Sequence, residues 1–235
     1  LRTTARVAHT RAPVRTADFG PTPPAPRFDR HPERFVPVPG HARKLRLRLQ
    51  ERLRLAERML TEASFCPVRP GSGKKGIVST GAPHLLVVEL LERLGMAERV
   101  PLLRIGAVHP LPDAPILDFL RGLDEVLVVE ELSPYLEDSL MAMAQHYRVP
   151  VRIHGKRSGE MRWPYEIGPD VLEPALRAFL EVPAAGAATA APLPVVVPPR
   201  PASLCPGCPH SATFVAMKLV FGEDRIYVND IGCYT

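Results

Sequence analysis

The chain has 235 residues, 46% of them hydrophobic, enough for one large domain or two small ones, and its 28 prolines stand far above the usual ~5%. The formal charge of +5 is uneven: residues 1–60 carry 14 Lys and Arg against 5 Asp and Glu, a local +9, and residues 61–235 carry 16 against 20, a local −4. Aromatic residues, at 6%, are not interleaved with the N-terminal arginines, which argues against a base-stacking surface and for no nucleic-acid partner. No run of about 18 apolar residues exists, so no membrane-spanning helix is expected. The start, Leu1-Arg-Thr-Thr-Ala-Arg-Val7, lacks an apolar signal core and an initiator Met, and reads as a chain entered within a domain. Four cysteines without a pairing framework suit a reducing, cytoplasmic setting.

In chain order, residues 1–14 read as a strand with flanks and 21–39 as an irregular proline-rich stretch. Residues 42–63 form the clearest helix, with Leu45, Leu49, Leu53, Ala56 and Leu60 on one face and Arg and Glu opposite, the pattern of a connecting helix packed on a neighbour. Residues 64–73 are a Pro/Gly break, within which Cys66 reads as an inert thiol. Then strands at 76–80, 102–105, 125–129 and 151–154 alternate with helices at 83–94, 114–120, 135–147 and 169–180. That alternation predicts an α/β fold, a Rossmann-like parallel sheet with helices on both faces. Ser79, Thr80 and Gly81 sit at a strand's carboxyl end, where a polar ligand can bind, although an ordinary helix cap is the plainer reading. His109 reads as a packed loop residue, and Glu130 and Glu131 as partners for Lys156 or Arg157 or as contacts to a neighbouring subunit, ahead of an acid/base role. Residues 182–203 are a Pro/Ala-rich linker, after which 32 residues remain, too few to bury a core.

Those last residues hold the sharpest motif, with three of the four cysteines. Cys205-Pro-Gly-Cys208 is a C-x-x-C hook, and two intervening residues let both thiolates reach one metal centre, with Gly207 permitting the turn. Pro209 opens a helix over 209–220, which puts positive helix-end amides beside the hook. Residues 225–228 read as a buried strand leading into Asp230-Ile-Gly-Cys233, so a third thiolate can return to the hook. Two small buried hydrophobes or a redox dithiol are the alternatives, and spacing does not separate zinc from iron.

Cys205-Pro-Gly-Cys208-Pro-His210 followed by Asp230-Ile-Gly-Cys233-Tyr-Thr235 resembles the opening of the diphosphate-binding thiamine domain of the indolepyruvate:ferredoxin oxidoreductase large (alpha) subunits, in the 2-oxoacid:ferredoxin oxidoreductase family. The chain departs from the usual pattern at Ser211, where the family has Arg, and at Asn229, where it has Gly. The stretch from Thr3 to Val14 resembles the end of the family's pyrimidine-binding domain, with Ala5 inserted and Ala12 in place of Gly. Gly76-Ile-Val-Ser-Thr-Gly81, His109-Pro-Leu-Pro112, Val129-Glu-Glu-Leu132 and Gly155-Lys156 resemble, in that order, its transketolase C-terminal-like domain.

The resemblance implies five segments: 1–41, the end of a pyrimidine-binding domain; 42–72, a connecting helix and loop; 73–181, the transketolase C-terminal-like domain; 182–203, a linker; and 204–235, the start of a diphosphate-binding domain. The sheet would thus be flanked by partial thiamine-diphosphate-binding domains, the whole being an internal fragment of the large subunit. It implies Cys205, Cys208 and Cys233 as ligands of a [4Fe–4S] cluster, and Gly232, Tyr234 and Thr235 at the thiamine diphosphate, with Mg²⁺ ligands and the catalytic residues outside the chain. The implied reaction is ferredoxin-dependent oxidative decarboxylation of aryl pyruvates to aryl-acetyl-CoA and CO₂. Implied partners are a smaller beta subunit, ferredoxin, coenzyme A and aryl pyruvate, in a dimer of heterodimers. The rival reading is a zinc-binding interaction module in which Cys205, Cys208, His210 and Cys233 form a tetrahedral set beside a basic N-terminal segment.

Overall fold

The computed structural model describes residues 12–17, 20, 24–25, 27–163, 165–183 and 204–228. The chain divides into two compact units, Leu1–Gly186 and Ala187–Thr235.

In the first unit a four-residue helix, α1 (Pro32–Phe35), precedes the long helix α2 (Pro39–Glu62). Pro39 starts α2 where its missing N–H costs nothing. Of the five residues expected to share its apolar face, Leu45, Leu53, Ala56 and Leu60 are half-buried, whereas Leu49 is exposed. No residue of α2 is buried, so backbone hydrogen bonds and its helix-forming Leu, Arg and Glu content sustain it more than packing does.

The sheet follows. Its strands are β1 (Val68–Arg69), β2 (Lys75–Thr80), β3 (Leu102–Ile105), β4 (Glu125–Val129) and β5 (Arg152–His154), in the order β1-β3-β2-β4-β5. The β2–β3, β2–β4 and β4–β5 pairs are parallel, with Ser79 beside Arg104 and Val129, and Leu127 beside His154. The first of these strands therefore lies in the middle, and successive strands go to either side of it. That leaves a topological switch point at the carboxyl ends of β2 and β4. β1 pairs antiparallel with β3 inside the stretch that reads as a Pro/Gly break. Two residues between Pro67 and Pro70 carry no periodicity, and only the open edge of β3 makes them a strand.

Helices α3 (Pro83–Arg93), α4 (Asp113–Arg121), α5 (Tyr135–Tyr147) and α6 (Pro169–Leu180) cover both faces. Ile116, Leu120, Leu136 and Leu140 of α4 and α5 pack on Val78, Leu103, Val126 and Val128. Leu90, Leu91, Leu172 and Leu176 of α3 and α6 pack on Ile77, Leu102, Leu127 and Val129. The strands buried on both faces are therefore continuous apolar runs. Each fully buried Leu or Ile contributes about 1.5–3 kcal/mol relative to exposure. Gly76 lets β2 approach α4: a Cβ there would collide with Leu123 Cδ1 and lie 3.2 Å from Phe119 Cζ.

The second unit contains one described helix, α7 (Pro209–Phe221). It is apolar, yet no residue of it is buried; Leu219 and Val220 are 80% and 72% exposed. Residues 225–228, expected as a buried strand, are neither strand nor buried, with Ile226 95% exposed. An isolated strand leaves its backbone groups unpaired, and among the described residues this unit offers no second strand. Tyr227 instead turns its hydroxyl to the end of α7, 2.6 Å from the Gly222 carbonyl oxygen. The linker residues 184–203, the N-terminal stretch 1–11 and residues 229–235 lie outside the described residues.

Candidate functional site

The cysteine hook is a compact turn. The Cys208 N–H donates to the Cys205 carbonyl across 3.0 Å, and Gly207 takes φ +75°, the left-handed region a Cβ disfavours. Cys208 is the residue preceding α7, and its carbonyl accepts the Ser211 N–H at 3.1 Å. The helix thus begins at the hook, as the Pro209 signal predicts. Cys205 is exposed, Cys208 is half-buried, and no disulfide joins them. The His210 Nδ1 lies 3.6 Å from Cys208 Sγ. Two thiols held by one turn at a helix N-terminus are a sound pair of metal or cluster ligands. Among the described residues no group of three His, Cys, Asp or Glu is assembled for a metal. Cys233, and the expected cofactor contacts Gly232, Tyr234 and Thr235, lie outside the described residues.

Cys66 is remote in character from that hook. It is 7% exposed in the core beneath α4 and α5, and burial pushes its thiol pKa up. A thiol so placed is inert, as its sequence setting predicts.

At the carboxyl edge of the sheet the polar residues are committed to one another. Ser79 is buried, with its Oγ 2.8 Å from the Nδ1 of His84 on α3. The Thr80 hydroxyl donates to the Ile105 carbonyl at 2.9 Å, and Gly81 turns the chain into α3 with φ +69°. Glu130, 4% exposed, accepts the N–H groups of Leu136 and Glu137, each at 2.8 Å, and so caps α5. Burial raises the Glu130 pKa, against the opposing pull of those two amides and of Lys156. Glu131 accepts the Ile167 N–H at 3.3 Å.

Sequence reasoning missed Glu137. It is 1% exposed, and its carboxylate accepts the backbone N–H of Lys156 at 2.8 Å and that of Arg157 at 3.0 Å. Gly155 makes room for it, because a Cβ there would sit 2.7 Å from the Glu137 Cδ. Lys156, itself 6% exposed, donates its ammonium to the Arg162 carbonyl at 2.9 Å; burial lowers its pKa while Glu130, Glu137 and Glu131 oppose the shift. Arg157 forks onto Asp138 with contacts of 2.9 and 2.8 Å. The glutamates after β4 and in the first turn of α5 thus bind α5 and the loop after β5 together. The only sequence signal for Glu137 is its place in the first turn of a helix, where acidic residues are common.

A second missed cluster lies on the α6 side. His154 places Nε2 2.8 Å from Glu125 and Nδ1 2.8 Å from Glu160, with Lys75 bridging Glu125 and Glu181 at 3.9 and 2.7 Å. These contacts tie β2, β4 and β5 to the end of α6.

The fold is therefore that of a Rossmann-like α/β protein, followed by a unit that carries two paired, unbridged cysteines at a helix start. Along its whole length the chain is similar to indolepyruvate oxidoreductase subunit IorA. It is 35% identical over 243 residues to the Methanothermobacter thermautotrophicus protein, covering 100% of this chain and 38% of that protein. It is 36% identical over 215 residues to that of Archaeoglobus fulgidus, covering 88% of this chain and 33% of that protein. For Thermococcus kodakarensis the figure is 34% over 262 residues, covering 100% and 38%. The chain thus spans little more than a third of the length of these relatives. No protein-family profile matches it. Among solved structures, it is similar to a 2-oxoglutarate:ferredoxin oxidoreductase from Magnetococcus marinus with TM-score 0.40 and 15% identity, over 61% of this chain and 24% of that one.

Proposed function

We propose that this chain is part of the large subunit of an indolepyruvate oxidoreductase, which carries out ferredoxin-dependent oxidative decarboxylation of aryl pyruvates to the aryl-acetyl-CoA and CO₂. The observation that carries the reading is similarity to IorA along the whole chain, at 34–35% identity to two relatives of different genera. On this reading residues 73–181 form the scaffold domain that braces the two thiamine domains and the dimer. Residues 1–41 close the pyrimidine-binding domain, and 204–235 open the diphosphate-binding one, with 182–203 as the linker between the scaffold domain and the latter. The partners are the smaller beta subunit, ferredoxin and coenzyme A, in a dimer of heterodimers in the cytoplasm. No helix among the described residues is long and apolar enough to cross a membrane.

The hook's chemistry fits the implied cluster. Cys205 and Cys208 are unbridged, close to the surface, and set by one turn at the positive end of α7. Cys233 supplies the third thiolate in this reading. When bound, thiamine diphosphate supplies the electron sink for decarboxylation and the iron–sulfur cluster carries the electrons onward. This chain's residues would contribute position: the Gly207 turn sets the two sulfurs beside the start of α7, and Gly232, outside the described residues, is the residue the reading assigns to the diphosphate. The bare apolar surface of α7 supports the same view, since a helix so apolar is ordinarily covered by the rest of its domain.

Anaerobic iron and sulfide reconstitution, read by absorption at about 400 nm, tests the ligand assignment. A brown protein that loses its colour on Cys205→Ala or Cys233→Ala is the expected result. Stoichiometric zinc in a colourless protein would favour the zinc module instead, a reading to which the His210 Nδ1 at 3.6 Å from Cys208 Sγ lends a fourth ligand.

A further inference from the structure

Arg69 and Arg104 stand close together in the sheet without an ion-paired carboxylate among the described residues. Arg69 lies on β1 opposite Leu102, and Arg104 lies two residues beyond Leu102 on β3. Alternation along a strand puts Arg69, Leu102 and Arg104 on one face of the sheet, the face covered by α3. Ser79 is the register partner of Arg104 on β2 and shares that face with Ile77. Its hydroxyl meets His84, in the first turn of the eleven-residue helix α3. Arg104 and the start of α3 lie toward the carboxyl ends of β3 and β2, and Arg69 reaches the same face from the neighbouring strand, opposite the first residue of β3.

This corner of the face is electrostatically incomplete. Arg69 Nε and Nη2 are sealed from solvent with no hydrogen-bond acceptor. Neither Arg69 nor Arg104 forms an ion pair with a carboxylate among the described residues. A buried charged donor without an acceptor costs several kcal/mol in ordinary proteins, so such groups are normally satisfied. His84 feels the same surplus: burial, and then the charges of Arg104 and Arg69, hold its imidazole pKa below the usual value. The Ser79–His84 bond fixes the ring, so its Nε2 is the nitrogen left to face a ligand. The motif Ser79-Thr80-Gly81 thus builds the floor of the corner, with both hydroxyls spent on internal bonds.

We propose that Arg69, Arg104 and His84, brought together at the start of α3, form an oxyanion-binding site that takes a phosphoryl group of a small ligand. The inference uses residues of the Leu1–Gly186 unit alone and stands or falls independently of the cysteine ligands. Arg104 is exposed and meets the anion first; Arg69 turns its Nε–Nη2 edge out to it, exchanging an unsatisfied burial for a forked, charge-assisted bond. The α3 amides add their partial positive charge. An anion seated there also favours protonated His84, so binding and proton uptake are linked.

The test follows the His84 ring by NMR in the full chain, with its signal assigned by loss in His84→Gln. The protein is titrated with inorganic phosphate and, separately, with adenosine monophosphate, at constant ionic strength. Saturable shifts of the His84 signal and a raised His84 pKa are expected with at least one of the two probes. Arg104→Gln, an exposed change that leaves the core intact, weakens binding about tenfold or more, and Arg69→Gln does so too where it folds. Tighter binding of adenosine monophosphate would mark the natural ligand as a phosphate ester; equal binding would mark the phosphate itself. The proposal is overturned if both anions, each at about 50 mM and far above a millimolar dissociation constant, leave His84 unmoved. It is also overturned if Arg104→Gln binds as well as the parent.

Discussion

Glu137 shows what a single carboxylate holds. It sits one residue into the first turn of α5 beyond Leu136, accepts the amides of Lys156 and Arg157, and lies in the field of the buried Lys156 ammonium. Its neighbour Glu130 caps α5 from the strand below. Removing the Glu137 carboxylate leaves two backbone donors and a buried cation without it. Glu137→Ala is therefore expected to cost roughly 3 kcal/mol or more, a fall of about 6–12 °C in the thermal midpoint of a chain this size. Glu137→Gln, which retains one carbonyl acceptor, loses less. Equal losses in both would mean that packing, and not the amide contacts, is what Glu137 supplies. Little of this was legible in the sequence, because acceptor and donors stand 19 and 20 residues apart and meet only through the β4-α5-β5 crossover.

At the scale of elements, hydrophobic pattern and turn residues place the strands and helices of the sheet to within a residue or two. The helices expected over 135–147 and 169–180 are α5 and α6, and the strand over 102–105 is β3. The residues that pattern could not place are those whose conformation depends on a neighbour. β1 is a strand because β3 presents an open edge, and 225–228 is not a strand because no edge is presented to it among the described residues. Contact between elements is equally sensitive. Gly76 sets how near β2 comes to α4, and Gly76→Ala is expected to destabilise the domain by about 1–3 kcal/mol through overlap with Leu123 and Phe119. Thermal unfolding reads the loss directly; an unchanged midpoint would show that α4 yields without cost.

For the whole molecule, the two units differ in how far they satisfy themselves. The sheet unit buries two apolar layers, one on each face of the sheet. The unit with the hook leaves α7 without a buried residue. A helix with no buried residue among those described is weakly held for setting two thiolates and a cofactor in register, and the chain spans 38% of the length of the IorA of Methanothermobacter thermautotrophicus. The 235-residue chain by itself is therefore expected to reduce no ferredoxin when given thiamine diphosphate, indolepyruvate and coenzyme A. Measurable turnover would show that the chemistry needs less of the large subunit than its relatives carry.

The sequence by itself determined the α/β class, the order of strands and helices after residue 75, the turn at Cys205–Cys208 and the start of α7. Each of these is local: period-two and period-3.6 burial, a proline at a first helical turn and a glycine at a positive φ all act within a few residues. Tertiary structure alone decided which polar residues meet. It spent Ser79, Thr80, Glu130 and Glu131 on internal bonds, brought Glu137 under the loop after β5, and set Arg69 and Arg104 on one face without an ion-paired carboxylate among the described residues. The physical reason for the paired groups is the same, and Arg69 is the exception that lacks such a partner. A buried charge or donor is satisfied by whatever the chain's crossovers bring within about 3 Å, and that partner carries no fixed spacing in the sequence.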